Sequence, residues 1–276
     1  MAIQAASRPE GLLAYELLTP HPRLKLHRGF HSRYLPSDRD VVVYLPPGYS
    51  QDPERAYPVL YLHDGQNLFD PRTSFIEGRT WQVREQADAA IEAGEVEPLI
   101  IVGIYNTNNR MNEYTHERDP QRGGGDADKY GKLLTRELMP WIASEYRVRI
   151  GREATGLGGS SLGGLVTLYL GLRHASIFGK LAVMSPSVWW THKSILGTVN
   201  ELAPAIWEKP RLWLDVGDHE GRKTVRDAEQ LMRRLKANGW VPGETLHFER
   251  APGGTHDESS WAARVRPMLR YLFPAR

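Results

Sequence analysis

From residue 57 to the C-terminus of this 276-residue chain, short apolar runs alternate with stretches of helical periodicity. That alternation limits the fold to a mostly parallel sheet covered on both faces by helices. Residues 57–62, 99–104, 180–184 and 211–216 read as strands, the first two apolar on both faces as central strands are. Residues 245–249 read as the last strand. Helices are predicted at 81–93, stopped by Gly94, at 224–238, closed by Gly239, and at 261–272. Over 126–146, Tyr130, Leu133, Leu134, Leu138 and Ile142 recur at helical spacing, and Pro140 should kink or divide that helix. Ahead of these, residues 24–34 and 41–45 flank the turn signal Pro36-Ser37-Asp38 and predict an antiparallel N-terminal hairpin. No repeat or linker interrupts the pattern, so one α/β domain over 1–276 is expected, with its functional loops at the carboxyl ends of the strands.

Within this pattern Gly159-Ser160-Ser161-Leu162-Gly163 reads G-x-S-x-G, between a strand at 153–158 and a buried helix at 165–172. A serine on so sharp a strand-to-helix turn presents its hydroxyl away from the backbone. Side chains at the flanking glycines would clash with neighbouring strand and helix. The helix N-terminus behind Ser161 favours negative charge on a reacting oxygen.

A serine hydroxyl is a weak nucleophile and needs a base held by a carboxylate. In hydrolases of this architecture the chain order is serine, acid, histidine. His256 is the expected base, on the glycine-rich segment Ala251-Pro252-Gly253-Gly254-Thr255-His256-Asp257 after the last strand. His247 lies inside a strand, and His174 ends the helix behind the serine, where it complements the dipole. The acid should follow strand 211–216, where Asp218 and Glu220 both qualify. An oxyanion hole would use the amide of Leu162 and that of Gln66, after the flexible Gly65.

Composition excludes several other chemistries. There is no cysteine, hence no disulfide, thiolate metal site or cysteine nucleophile. The net charge of +2 argues for neither nucleic acid nor an anionic membrane as partner. No apolar run approaches the ~18 residues that span a bilayer. Residues 1–10 lack a basic segment followed by an apolar one, so a cytoplasmic location is expected.

Two segments invite a substrate role. Residues 106–129 form a long polar stretch with Gly123-Gly124-Gly125 and mixed charges, Arg110 among them; it reads as a lid or as a solvated loop. Trp189-Trp190 reads as an apolar substrate wall or as a core plug. Asn67, beside Gln66, is a third candidate for substrate contact.

Taken together these residues resemble the putative esterase family of α/β-hydrolases, which includes enterochelin esterase-like proteins, esterase D, feruloyl esterases and mycolyltransferases. The resemblance rests on 62–69 (Leu-His-Asp-Gly-Gln-Asn-Leu-Phe), 159–164, Ser185-Pro186-Ser187-Val188-Trp189-Trp190, Val216-Gly217-Asp218-His219-Glu220 and Gly253-Gly254-Thr255-His256-Asp257. They stand in the family's order from about residue 40 to the C-terminus. The resemblance implies the α/β-hydrolase fold, Ser161 as nucleophile, His256 as base, Glu220 rather than Asp218 as the acid, and the Gln66 amide as second oxyanion donor. It implies no special role for His63.

The expected protein is thus a serine carboxylic ester hydrolase that works through an acyl-enzyme on a small-molecule ester, without metal or cofactor. A siderophore-lactone or hydroxycinnamoyl ester, or acyl transfer to an alcohol, would use the same site. Two readings of other classes compete. One is a metal-dependent hydrolase built on His63-Asp64, Asp218-His219-Glu220 and His256-Asp257; the other is a non-catalytic binding module.

Overall fold

The computed structural model describes residues 21–275, so the reading of residues 1–10 lies outside the described residues. Eight strands form one sheet: β1 (Leu24–Phe30), β2 (Arg39–Tyr44), β3 (Val59–His63), β4 (Ile100–Ile104), β7 (Thr155–Ser160), β8 (Lys180–Met184), β9 (Arg211–Gly217) and β10 (Leu246–Ala251). Two short strands, β5 (Arg118–Asp119) and β6 (Gly123–Gly124), pair among the described residues only with each other. The spatial order is β1-β2-β4-β3-β7-β8-β9-β10. The predicted hairpin is present: β1 runs antiparallel to β2, with Leu24 opposite Tyr44. β2 is also antiparallel to β4, and every later pair in this sheet is parallel. This is the α/β-hydrolase architecture, mostly parallel with an antiparallel N-terminal edge.

The strand period of two divides the core. Val41, Val43, Val59, Tyr61, Ile100 and Val102 face one layer, with Tyr130, Leu133, Leu168 and Leu170. Val42, Tyr44, Leu60, Leu62 and Ile101 face the other, with Val83, Ala87, Val265 and Met268. The first layer holds α3 (Ala127–Leu133), α5 (Leu162–Arg173), α6 (Ile195–Leu202) and α7 (Arg222–Ala237); the second holds α1 (Val83–Glu92) and α8 (Glu258–Leu272). α5 is buried all round from Leu162 to Leu172, which is why its sequence is apolar without an amphipathic stripe.

The expected division of helix 126–146 is present. α3 ends at Leu133, Leu134–Leu138 form a π turn, and α4 (Met139–Glu145) begins with Pro140 in its first turn. Pro140 has no N–H for the preceding turn, and the widened turn accommodates that loss.

Residues 106–129 are more structured than a solvated loop. They carry the short helix α2 (Arg110–Glu113) and the β5–β6 hairpin. Glu113 is buried and receives both terminal nitrogens of buried Arg39, at 2.9 and 3.1 Å. Trp190 is the core plug of the two alternatives: it is fully buried, and its Nε1–H donates to the Glu117 carbonyl at 2.9 Å.

Candidate active site

The carboxyl ends of β3, β7, β8, β9 and β10 bring the predicted residues to one rim of the sheet. At the end of β7, Ser161 has φ 58° and ψ −121°, a conformation that costs a non-glycine residue about 1–3 kcal/mol. Its surroundings hold it there. The Ser161 amide donates to Met184 O at 3.1 Å, and its carbonyl accepts from Ser187 N at 3.0 Å and Leu165 N at 3.1 Å. A Cβ on Gly159 would lie 3.0 Å from the His63 ring, and one on Gly164 2.8 Å from Met184 O. Only glycines allow the helix to start so close to the sheet.

Past β3, Asp64 adopts the left-handed conformation (φ 57°), and Gly65 lies against Gly103, where a Cβ would come within 2.6 Å of backbone. The turn so formed is fastened by Asp64, whose carboxylate takes two bonds from Arg110, both at 2.7 Å, and one from Asn106 Nδ2 at 2.6 Å. Burial pushes the Asp64 carboxyl up, but Arg110 and Asn106 outweigh it and hold the group below its ordinary range. The Gln66 side chain accepts from the Asn106 amide at 3.2 Å, and its carbonyl accepts from Thr73 Oγ1 at 2.7 Å. The amides of Gln66 and of Leu162, which opens α5, have no acceptor among the described residues. Behind this turn, buried His63 bonds Tyr130 Oη through Nδ1 at 2.9 Å, and burial lowers its pKa to about 3. It is a neutral packing residue under the Ser161 turn.

After β9 the two candidate acids diverge. Asp218 turns back to the Gly253 amide at 2.7 Å and shapes the loop that carries His256. The Glu220 side chain is fully buried and its Oε2 lies 2.7 Å from His256 Nδ1. Its Oε1 accepts from the Gly217 amide at 2.7 Å and from Ser185 Oγ at 2.5 Å. Burial pushes the Glu220 carboxyl up; the bonds from His256, Ser185 and Gly217 outweigh it, and the group sits below its ordinary range. The His256 ring meets the edge of Trp261, centroids 5.0 Å apart. Ser161 Oγ lies 3.3 Å from Ser187 Oγ and forms no hydrogen bond with His256.

The expected substrate contacts separate. Trp189 is 41% exposed, with the Arg122 guanidinium 5.7 Å from its ring centroid. Trp190 leaves the site for the core. Asn67 is buried and braces its own loop, accepting from the Phe75 amide at 2.9 Å. Arg110 is partly exposed and committed to Asp64. The histidines and acids weighed as metal ligands do not gather: among the described residues no three of them form a metal-binding group. Sequence reasoning missed Ser185, Ser187, Asp215 and Arg264, which surround Ser161 and Glu220. Two signals were available: Ser185 and Ser187 stand in one of the segments that carry the family resemblance, and an aspartate, Asp215, follows the apolar run Leu212-Trp213-Leu214.

Residues 32–272 match the family model described as "Putative esterase", and the chain belongs to that family. It is 31% identical over 237 residues to the iron(III) salmochelin esterase of Escherichia coli O6:H1, covering 81% of this chain but 51% of that protein. It is 25% identical over 260 residues to the uncharacterized protein YbbA of Bacillus subtilis, covering 89% and 97% of the two chains. The solved structure of an IroE-like serine hydrolase from Shewanella oneidensis superposes with a TM-score of 0.70 at 26% identity, over 91% of this chain and 80% of that one. The protein is a carboxylic ester hydrolase of the serine esterase type. No helix among the described residues is long and apolar enough to cross a membrane.

Proposed function

We propose that Ser161, His256 and Glu220 form a catalytic triad that hydrolyses a small-molecule ester through an acyl-enzyme. The observation that carries this reading is the 2.7 Å bond from His256 Nδ1 to the buried Glu220 carboxylate, at the rim where the strained Ser161 turn presents its hydroxyl. Glu220 fixes the imidazole with Nδ1 protonated, which leaves Nε2 free as base. Ser161 Oγ rotates away from Ser187, gives its proton to Nε2 and attacks the ester carbonyl. The unpartnered amides of Leu162 and Gln66 receive the developing oxyanion. His256 then passes the proton to the departing alcohol, and water activated by the same nitrogen releases the acid. Exposed Trp189, with Arg122 beside it, suits an aromatic or anionic acyl group, as in a siderophore-lactone or hydroxycinnamoyl ester. The similarity to a salmochelin esterase supports the former.

The test is intact mass after treatment with a fluorophosphonate, on wild type and Ser161→Ala, with and without a chelator. One adduct on wild type only, insensitive to the chelator, is expected. An adduct on the alanine variant, or none on either, would sink the triad.

A further inference from the structure

We propose that Ser185 is a positioning residue for the triad: its hydroxyl is forced by its surroundings to donate to Glu220, and so fixes which carboxylate oxygen faces His256. The inference rests on reading Glu220 as the triad acid.

Ser185 directly follows β8, is fully buried and has φ 41°. Its amide is clamped by Asp215, to the carbonyl at 3.0 Å and to Oδ1 at 3.1 Å. Around Oγ lie Trp261 Nε1 at 3.1 Å and Arg264 Nη1 at 3.2 Å. An indole N–H and a guanidinium N–H only donate, so both occupy the lone pairs of Oγ. Among the described residues the hydroxyl proton then has one acceptor in reach, Glu220 Oε1 at 2.5 Å. That separation is typical of a hydroxyl bonded to an ionised carboxylate. With the Gly217 amide on the same oxygen, Oε1 is saturated and Oε2 is left for His256.

The charged groups facing Glu220 come from each side. His256 approaches from the loop before α8. Arg264 of α8 stands 3.7 Å away, and its Nη2 has no hydrogen bond among the described residues. Asp215 of β9 lies beyond, joined to Arg264 Nη1 at 2.6 Å and to Trp213 Nε1 at 2.7 Å. Asp215 therefore holds Arg264 in place, and Arg264 orients Ser185. Because the Glu220 carboxyl is depressed in the folded state, its contribution is present above its ordinary range and is lost as pH falls through the lowered value. Removing the Ser185 donor moves that loss to higher pH.

The experiment compares wild type, Ser185→Ala and Ser185→Cys. It measures kcat and KM for a p-nitrophenyl ester across pH, the thermal midpoint, and the NMR resonance of the His256 Nδ1 proton. For S185A, kcat should fall about 10- to 100-fold with KM within about twofold, and the acid limb of kcat/KM should rise by about one pH unit. The Nδ1 proton resonance should shift or vanish by exchange. S185C keeps a weaker S–H donor and should recover part of each effect. Loss of kcat that only tracks loss of thermal stability, with the acid limb and the Nδ1 resonance unmoved in both variants, would overturn the proposal. The resonance needs no turnover. If wild type proves inert to esters and fluorophosphonate, the catalytic reading fails, while the Ser185–Glu220–His256 coupling is still decided by the spectrum.

Discussion

Replacing Glu220 by glutamine removes a charge at almost constant volume, and the surrounding donors dictate how the amide must sit. Oε1 accepts from Ser185 Oγ at 2.5 Å and from the Gly217 amide at 2.7 Å, so the glutamine oxygen must take that position. Turning the amide over would set its NH2 against two donors, at a cost of about 1–3 kcal/mol for each unsatisfied group. The NH2 group therefore takes the place of Oε2, 2.7 Å from His256 Nδ1. An NH2 there requires a lone pair on Nδ1, which puts the imidazole proton on Nε2, where it blocks proton transfer from Ser161. The geometry is preserved and the tautomer is wrong. A comparable change in a Ser-His-Asp triad lowers kcat by about 10⁴-fold, a barrier rise of about 5 kcal/mol. The assay is kcat/KM on a p-nitrophenyl ester, with fluorophosphonate labelling rate as a second readout and thermal unfolding as the control for folding. Glu220→Gln should lose about 10³–10⁴-fold in both rates while staying folded. Asp218→Asn is the internal control, because Asp218 meets the Gly253 amide and not His256; it should lose no more than about tenfold. An E220Q enzyme within tenfold of wild type, or a D218N enzyme more impaired than E220Q, would refute the reasoning.

Gly217→Ala should cost about 1–3 kcal/mol and most of the activity, because its Cβ would stand 2.2 Å from the Gly254 carbonyl oxygen on the His256 loop; urea unfolding and ester turnover check both. Trp190→Ala should cost about 3–5 kcal/mol and raise hydrogen exchange across 115–125, since it empties a buried site and frees the Glu117 carbonyl. Trp189→Ala, at a 41% exposed position, should leave the unfolding midpoint nearly unchanged and alter KM for aromatic esters. Arg110→Ala leaves the buried Asp64 carboxylate without its ion pair and should cost about 3–5 kcal/mol at pH 7. Asp64 is depressed in the wild-type fold, so its contribution there is full above its ordinary value near 3.8 and lost as pH falls through the lowered one. Without Arg110, burial raises that carboxyl instead, so the stability gap between variant and wild type should narrow from pH 7 to pH 4.5; a gap that widens contradicts the assignment.

Much of the architecture follows from local pattern. The double-sided apolar runs at β3 and β4, the alternation of strand and helix, and the turn at 36–38 determine a mostly parallel sheet with an antiparallel edge, because each pattern has one way to bury its apolar surface. The glycines around Ser161 likewise determine the sharp turn, since no other residue lets the helix start against the sheet. Spacing along the chain cannot say which of two acids, two residues apart, turns inward. Asp218 and Glu220 are separated by the donors each finds: the Gly253 amide for one, and Gly217, Ser185 and His256 for the other. Nor does a Trp-Trp pair reveal which ring is buried; the Glu117 carbonyl, 73 residues away along the chain, accepts from Trp190 and leaves Trp189 outside. The chain by itself determined the sheet, the Ser161 turn and the order of its chemical groups, all of which depend on near neighbours. Only the tertiary structure decided which donors meet which acceptors at the rim, because Ser185, Asp215 and Arg264 come together there from the turn after β8, from β9 and from α8 and become partners only once the sheet is formed.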